Sequence, residues 1–240
     1  MPASPPEIAA MRITTSALLT AALLLVAPTW AGEGKPFATA ETIDLLTLLK
    51  PPPANDSAQT KAELAEVLTI QVTRTPQMEA QAQADVVEDV WRFSEVMGPA
   101  FKPEALPAFS AFFDRVVATE GAVVDPAKDS WKRPRPHQYS PLVKPVVKIS
   151  NSGAYPSGHT TVGTLMGIVL SNMVPEKRAE IMARAWAYGE NRIVGGIHFR
   201  ADIEAGRIAG SVIAARIMEQ PEFRTEYAAA RTELRKVLGF

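Results

Sequence analysis

Apolar residues recur three and four positions apart along most of the chain, the period of helices that bury one face. Residues 58–71 set Ala62, Leu64, Val67 and Leu68 roughly on one face, with Asn55, Asp56 and Ser57 ahead of them as N-cap side chains. A second stretch, 76–96, turns Val86, Val87, Val90 and Trp91 inward, and a third, 104–120, does the same with Leu106, Phe109, Phe112, Phe113 and Val116. Further helices are predicted over 159–174, 176–194 and 201–219, with a shorter one over 222–237. The short apolar run 41–50 is stopped by Pro51, Pro52 and Pro53. Only 143–149 hints at the alternation of a strand. The pattern predicts an all-α, single-domain helical bundle.

The helical period fails between Gly121 and Gly153, where prolines and basic residues predict a long irregular connection. Loops of that length inside a compact domain are functional or disordered. This one carries 128-KDSWKRPRPH-137, in which Lys128, Lys132, Arg133 and Arg135 cluster, and Pro134 and Pro136 hold the two arginines in extended backbone. Taken alone, such a charge run reads as a solvated surface loop.

The segment 156-PSGH-159 opens an apolar helix. Ser157 is a natural N-cap, Gly158 lets a ligand approach the backbone, and the first-turn N–H groups are unpaired donors suited to an anion. His159 then lies where a proton donor reaches that anion. By itself the tetrapeptide is equally compatible with a capped helix carrying an incidental histidine. In 189-GENRIVGGIHFRADIEAGR-207, Gly195 and Gly196 break a helix, and His198 and Asp202 stand four apart, on one face of a new helical turn. A carboxylate there can fix the imidazole tautomer and leave the other ring nitrogen free to attack. Alternatively the pair only stabilises a helix start.

Together these segments spell Lys-x6-Arg-Pro, then Pro-Ser-Gly-His, then Arg-x5-His-x3-Asp. In that order and spacing the chain resembles the PAP2 superfamily, which spans type 2 phosphatidic acid phosphatases and vanadium haloperoxidases, and within it the bacterial class A non-specific acid phosphatases. The likeness extends from about residue 45 to 220. It implies a helical bundle of the PAP2/haloperoxidase type with an active-site core over about 125–207. It also implies roles: His198 attacks phosphorus to give a phosphohistidine, His159 protonates the leaving alcohol, and Asp202 orients His198. Lys128, Arg135 and Arg192, with the Ser157 hydroxyl and the Gly158 N–H, hold the phosphate oxygens.

Phosphoryl transfer asks a protein mainly for positioning and electrostatics. Cationic side chains would then replace a metal, so no cofactor is expected, with vanadate as an inhibitor or phosphate mimic. An acidic optimum follows, because a leaving-group acid must start protonated, with an ordinary histidine value near ~6.5. Two positions depart from the family pattern. Asn191 stands where a serine is typical before the arginine, and its amide can still donate to an oxyanion. His137 replaces an aromatic after Arg-Pro and is expected to be a partly exposed loop residue without a catalytic role.

Composition narrows the alternatives. Lys and Arg total 25 against 26 Asp and Glu, a net charge of −1, which argues against a general nucleic-acid binder. There is no cysteine, so thiolate chemistry and disulfides are excluded. Met11 and Arg12 precede an apolar run over 17–27 and the segment 28-PTWAGEGK-35, which together read as a secretory leader over 1–31, cut after Ala31, with Met11 as an alternative start. A membrane anchor is the weaker reading, because the run is shorter than the ~20 residues of a span. The expectation is a periplasmic or secreted domain over 32–240 that acts on small phosphomonoesters, its oligomeric state left open. A vanadium-dependent haloperoxidase, a lipid or isoprenoid phosphate phosphatase and a non-catalytic anion-binding protein are the alternatives.

Overall fold

The computed structural model describes residues 1–3 and 34–240; the expected leader and its cleavage point at Ala31 fall outside the described residues. Among the described residues ten α-helices follow in order: α1 (Leu45–Leu48), α2 (Ala58–Thr73), α3 (Pro76–Ala84), α4 (Ser94–Met97), α5 (Pro107–Trp131), α6 (Pro136–Tyr139), α7 (Gly158–Met173), α8 (Arg178–Val194), α9 (Arg200–Met218) and α10 (Pro221–Leu238). Among the described residues there is no strand, so the all-α expectation holds and the hint of a strand over 143–149 does not. No helix among the described residues is long and apolar enough to cross a membrane.

α7 is the central element. Nearly all its side chains are buried, and α8, α9, α5 and α10 pack around it. α9 approaches most closely through Gly206 and Gly210. A Cβ at Gly210 would sit 2.5 Å from the Thr161 carbonyl oxygen, and one at Gly206 would sit 2.7 Å from that of Ser157. The start of α9 is thereby pinned to the start of α7, where the Ser157 N–H donates to the Asp202 carbonyl at 3.0 Å. On the opposite side, Phe109, Phe112 and Phe113 of α5 meet Phe37, Trp91, Phe101 and Phe223 in a continuous aromatic cluster. Each such ring stabilises the fold by about 1.5–3 kcal/mol on burial.

Two boundaries differ from the sequence pattern, both for physical reasons. α5 does not end at residue 120 but runs on through Pro126 to Trp131. Proline cannot donate to the carbonyl four residues back. That carbonyl, on Ala122, instead accepts the Ala40 N–H at 3.1 Å, so the helix loses little by continuing. Lys128 therefore sits on a rigid helix, and the irregular connection begins at Lys132, whose left-handed backbone ends α5. The second difference is the stretch expected as one helix over 76–96. α3 stops at Ala84, and Asp85 to Asp89 runs on without helix before a 3-10 turn over Val90–Phe93. Asp85 is fully buried and bound by Arg92, Arg184 and Asn191, while the carbonyls of Val86 and Val87 are taken by His159 and the Tyr188 hydroxyl. These tertiary partners outweigh the local propensity.

Candidate active site

A pocket of about 330 Å³ opens where α5, α7 and α8 meet the loops before α7 and α9; Val86, Glu88, Lys128, Arg135, Gly158, His159, Arg192 and His198 line it, with Lys148, Ile149, Ser150 and Ser152 on the loop before α7. That is the small end of ligand pockets, about 300–1,000 Å³. Of the eight residues expected from sequence, six line it: Lys128, Arg135, Gly158, His159, Arg192 and His198. Asp202 and Ser157 stand directly behind.

Each side chain is placed by its element. Gly158 is the first residue of α7, so its N–H belongs to the donors that a helix leaves unpaired. Ser157 is the N-cap: its Oγ accepts the Thr160 N–H at 3.3 Å and the Thr160 hydroxyl at 2.9 Å, and it is fully buried. Lys128, on the last turns of α5, has Asp125 at 3.4 Å, an exposed and therefore weak partner. Arg192 is 2% exposed on the last turn of α8. Its Nη1 reaches the Asp85 carbonyl at 3.4 Å, and its buried Nε has no partner. Burial draws its pKa down to about 10, so it stays cationic at neutral and acid pH. Arg135 donates to the carbonyls of Ser152 and Ile197, and burial also pulls its pKa down. Three buried cations with few anionic partners thus line one pocket, an arrangement that can compensate an anion.

His198 lies just before α9, ahead of N-cap Phe199, rather than on the helix as its spacing from Asp202 suggests. Asp202 is the third residue of α9. Its Oδ2 accepts the Phe199 N–H at 2.8 Å and faces His198 Nδ1 at 3.3 Å, and its Oδ1 faces Arg133 Nη1 at 2.6 Å. Burial pushes the Asp202 carboxyl up to about 7, against the pull of Arg133 and the Phe199 N–H. The Arg133 guanidinium and the Phe199 N–H both donate to this carboxyl, the geometry of a carboxylate. Arg135 Nη1, which can only donate, faces His198 Nε2 at 2.9 Å, so Nε2 presents its lone pair and the proton of His198 resides on Nδ1. Burial, then the charges of Arg135, Arg192, Lys128 and His159, hold the pKa of this ring well below its ordinary value and keep it neutral.

Several site residues had no signal in the sequence. Glu88 and Val86 reach the pocket because the 85–89 segment is not helical. Arg133, counted above only as part of a charge run, is buried behind the site and bridges Asp202 to Glu63 of α2 at 2.6 and 2.7 Å. Asn191 donates to Asp85 at 2.7 Å instead of facing the pocket, so the amide expected at an oxyanion is committed to the scaffold. His137, half-buried on α6, stays outside the pocket.

Fold and site together define an all-α protein with a pocket lined by Lys128, Arg135 and Arg192 beside an uncharged histidine. The PAP2 superfamily pattern matches residues 115–226. The chain is 31% identical over 222 residues to a non-specific acid phosphatase of Salmonella typhimurium, covering 88% of this chain and 89% of that one. It is 29% identical over 208 residues to a non-specific acid phosphatase of Providencia stuartii, covering 82% and 83%. The chain belongs to the PAP2 superfamily. Its fold is shared with a transmembrane PAP2-type phosphatidylglycerolphosphate phosphatase of Bacillus subtilis, at TM-score 0.50 and 17% identity over 73% of this chain and 89% of that one. A bacterial vanadium-dependent iodoperoxidase shares it at TM-score 0.51 and 22% identity over 70% and 51%.

Proposed function

We propose that the protein is an exported acid phosphatase that hydrolyses small phosphomonoesters through a phosphohistidine, without a metal. The observation that carries this reading is the set at His198: Nδ1 on Asp202, and Nε2 facing a pocket lined by Lys128, Arg135 and Arg192. In the first half-reaction Nε2 attacks phosphorus, the bond to the ester oxygen breaks, and His159 gives that oxygen a proton. The three cations and the Gly158 N–H hold the non-bridging oxygens where charge develops, the placement that lowers such barriers most. Ser157 adds its hydroxyl, or, from its place as N-cap, keeps the Gly158 N–H aimed at the anion.

In the second half-reaction water attacks the phosphohistidine, His159 takes the proton of the water, and phosphate leaves with His198 restored. The acid phosphatase relatives support the substrate class, and the small pocket suits a phosphate with a modest leaving group. Export rests on the leader-like residues 1–31. A stopped reaction with a phosphate-labelled monoester tests the reading. Label should remain on the protein as an acid-labile, base-stable adduct and be absent in His198→Ala; turnover by that variant at the normal rate, or loss of wild-type activity in EDTA, overturns it.

A further inference from the structure

His159 is held at both ring nitrogens. Nδ1 lies 2.7 Å from Glu88 Oε1, and Nε2 lies 3.0 Å from the Val86 carbonyl oxygen. Both partners are acceptors, so the contacts suit a ring that carries a proton on each nitrogen, the form a proton donor needs. The ring also stacks on Tyr188, with centroids 6.2 Å apart and planes 21° apart. Glu88 and Val86 belong to the irregular 85–89 segment, which Arg184, Asn191 and Tyr188 of α8 fasten in place.

We infer that Glu88 is the positioning residue of the proton donor, so that the pocket works with two histidine–carboxylate pairs, one at the nucleophile and one at the acid. This inference rests on the phosphatase reading above. The difference between the pairs lies in their surroundings. Asp202 shares its charge with Arg133 and the Phe199 N–H, and His198 sits among three cations and stays neutral. Glu88, by contrast, has no arginine or lysine within ion-pair distance among the described residues, and His159 alone engages its carboxylate. Burial alone would raise the Glu88 pKa, but the His159 bond and the charges of His159, Lys128 and Arg192 outweigh that and lower it.

The consequence is a division of labour. When a monoester binds, its bridging oxygen replaces the Val86 carbonyl as acceptor of the Nε2 proton. As the phosphorus–oxygen bond breaks, that proton passes to the alcohol, and Nδ1–H stays on Glu88, which fixes the ring for the return step with water. Glu88 therefore matters in proportion to how much the leaving oxygen needs a proton. An alkyl oxygen needs one; a nitrophenyl oxygen leaves as a stable anion.

The test compares Glu88→Gln and Glu88→Asp with the wild type on glycerol 2-phosphate and on p-nitrophenyl phosphate. For Glu88→Gln the expected result is a fall in kcat/KM of about tenfold or more on the glycerol ester, and of less than about threefold on the nitrophenyl ester. Glu88→Asp should restore part of the loss. The groups facing this pair are Lys128 and Glu120 from α5, Tyr188 and Arg192 from α8, and His198. All of them are unchanged in the variants. Equal losses on both esters, or no recovery in Glu88→Asp, overturn the inference. Failure of the phosphatase reading looks different: the wild type turns over neither ester, or His198→Ala is as active as the wild type.

Discussion

Arg133 Nη1 lies 2.6 Å from Asp202 Oδ1, and both side chains are sealed from solvent. This contact joins the irregular connection after α5 to the start of α9, and the second fork of the guanidinium, on Glu63, adds α2. Arg133 thus acts on the chemistry through Asp202, whose other oxygen fixes the tautomer of His198.

Breaking a buried pair at one end leaves the other charge uncompensated, at a cost of roughly 3–5 kcal/mol. Arg133→Met strands both Asp202 and Glu63. Thermal unfolding should show a Tm lowered by about 10 °C. In Arg133→Lys, which keeps the charge but not the two-pronged geometry, kcat should fall by at least about tenfold while the fold survives. An Arg133→Lys enzyme with wild-type kcat would separate Arg133 from the site.

Asp202→Asn preserves shape but removes the acceptor that selects the Nδ1–H tautomer. By analogy with other carboxylate–histidine pairs, kcat should drop by about 10³–10⁴ with a much smaller change in KM. Kinetics on a single monoester decide it, and an equal loss through KM alone would mean that Asp202 serves binding rather than the tautomer.

Much of this architecture is legible in the sequence. α7 to α10 fall within two residues of their predicted starts and ends, because their apolar periodicity is unbroken and Ser157, Gly195, Pro221 and Gly239 punctuate it. Six of the residues that line the pocket were legible too, since their spacing recurs as a family pattern. What was not legible depends on contacts distant in sequence. Pro126 reads as a helix stop until Ala40 supplies the donor for Ala122. The 85–89 segment reads as helix until α8 captures Asp85. Glu88, Arg133 and Glu63 have ordinary local contexts, and only the fold brings them to the two histidines.

Gly158 makes a tight corner. A Cβ there would come within 2.7 Å of Glu120 Oε1 and 2.8 Å of Lys128 Nζ. Gly158→Ala must therefore displace the Glu120 carboxyl and the Lys128 ammonium at the pocket wall. Because small misplacements at a reacting centre cost up to about a hundredfold, kcat/KM should fall between about tenfold and a hundredfold. Inorganic phosphate should inhibit more weakly in parallel. Unchanged phosphate inhibition would place Lys128 outside the anion's reach.

Glu120 offers a pH test of stability that does not involve turnover. It is buried on α5, its Oε1 has no hydrogen-bond partner, and burial pushes its carboxyl from 4.5 up to about 8, opposed by Lys128 and reinforced by Glu88 and Asp125. Between these values the native chain keeps a proton that the unfolded chain has released. Stability therefore falls as pH rises through that window, since it declines wherever the native state binds more protons. Each pH unit is worth about 1.4 kcal/mol at most, and each kcal/mol about 2–4 °C for a domain of this size. Glu120→Gln stays neutral throughout, so the Tm of this variant minus that of the wild type should grow by several degrees from pH 4.5 to 8. Parallel curves for the two proteins would mean that Glu120 is already ionised in the native state at low pH.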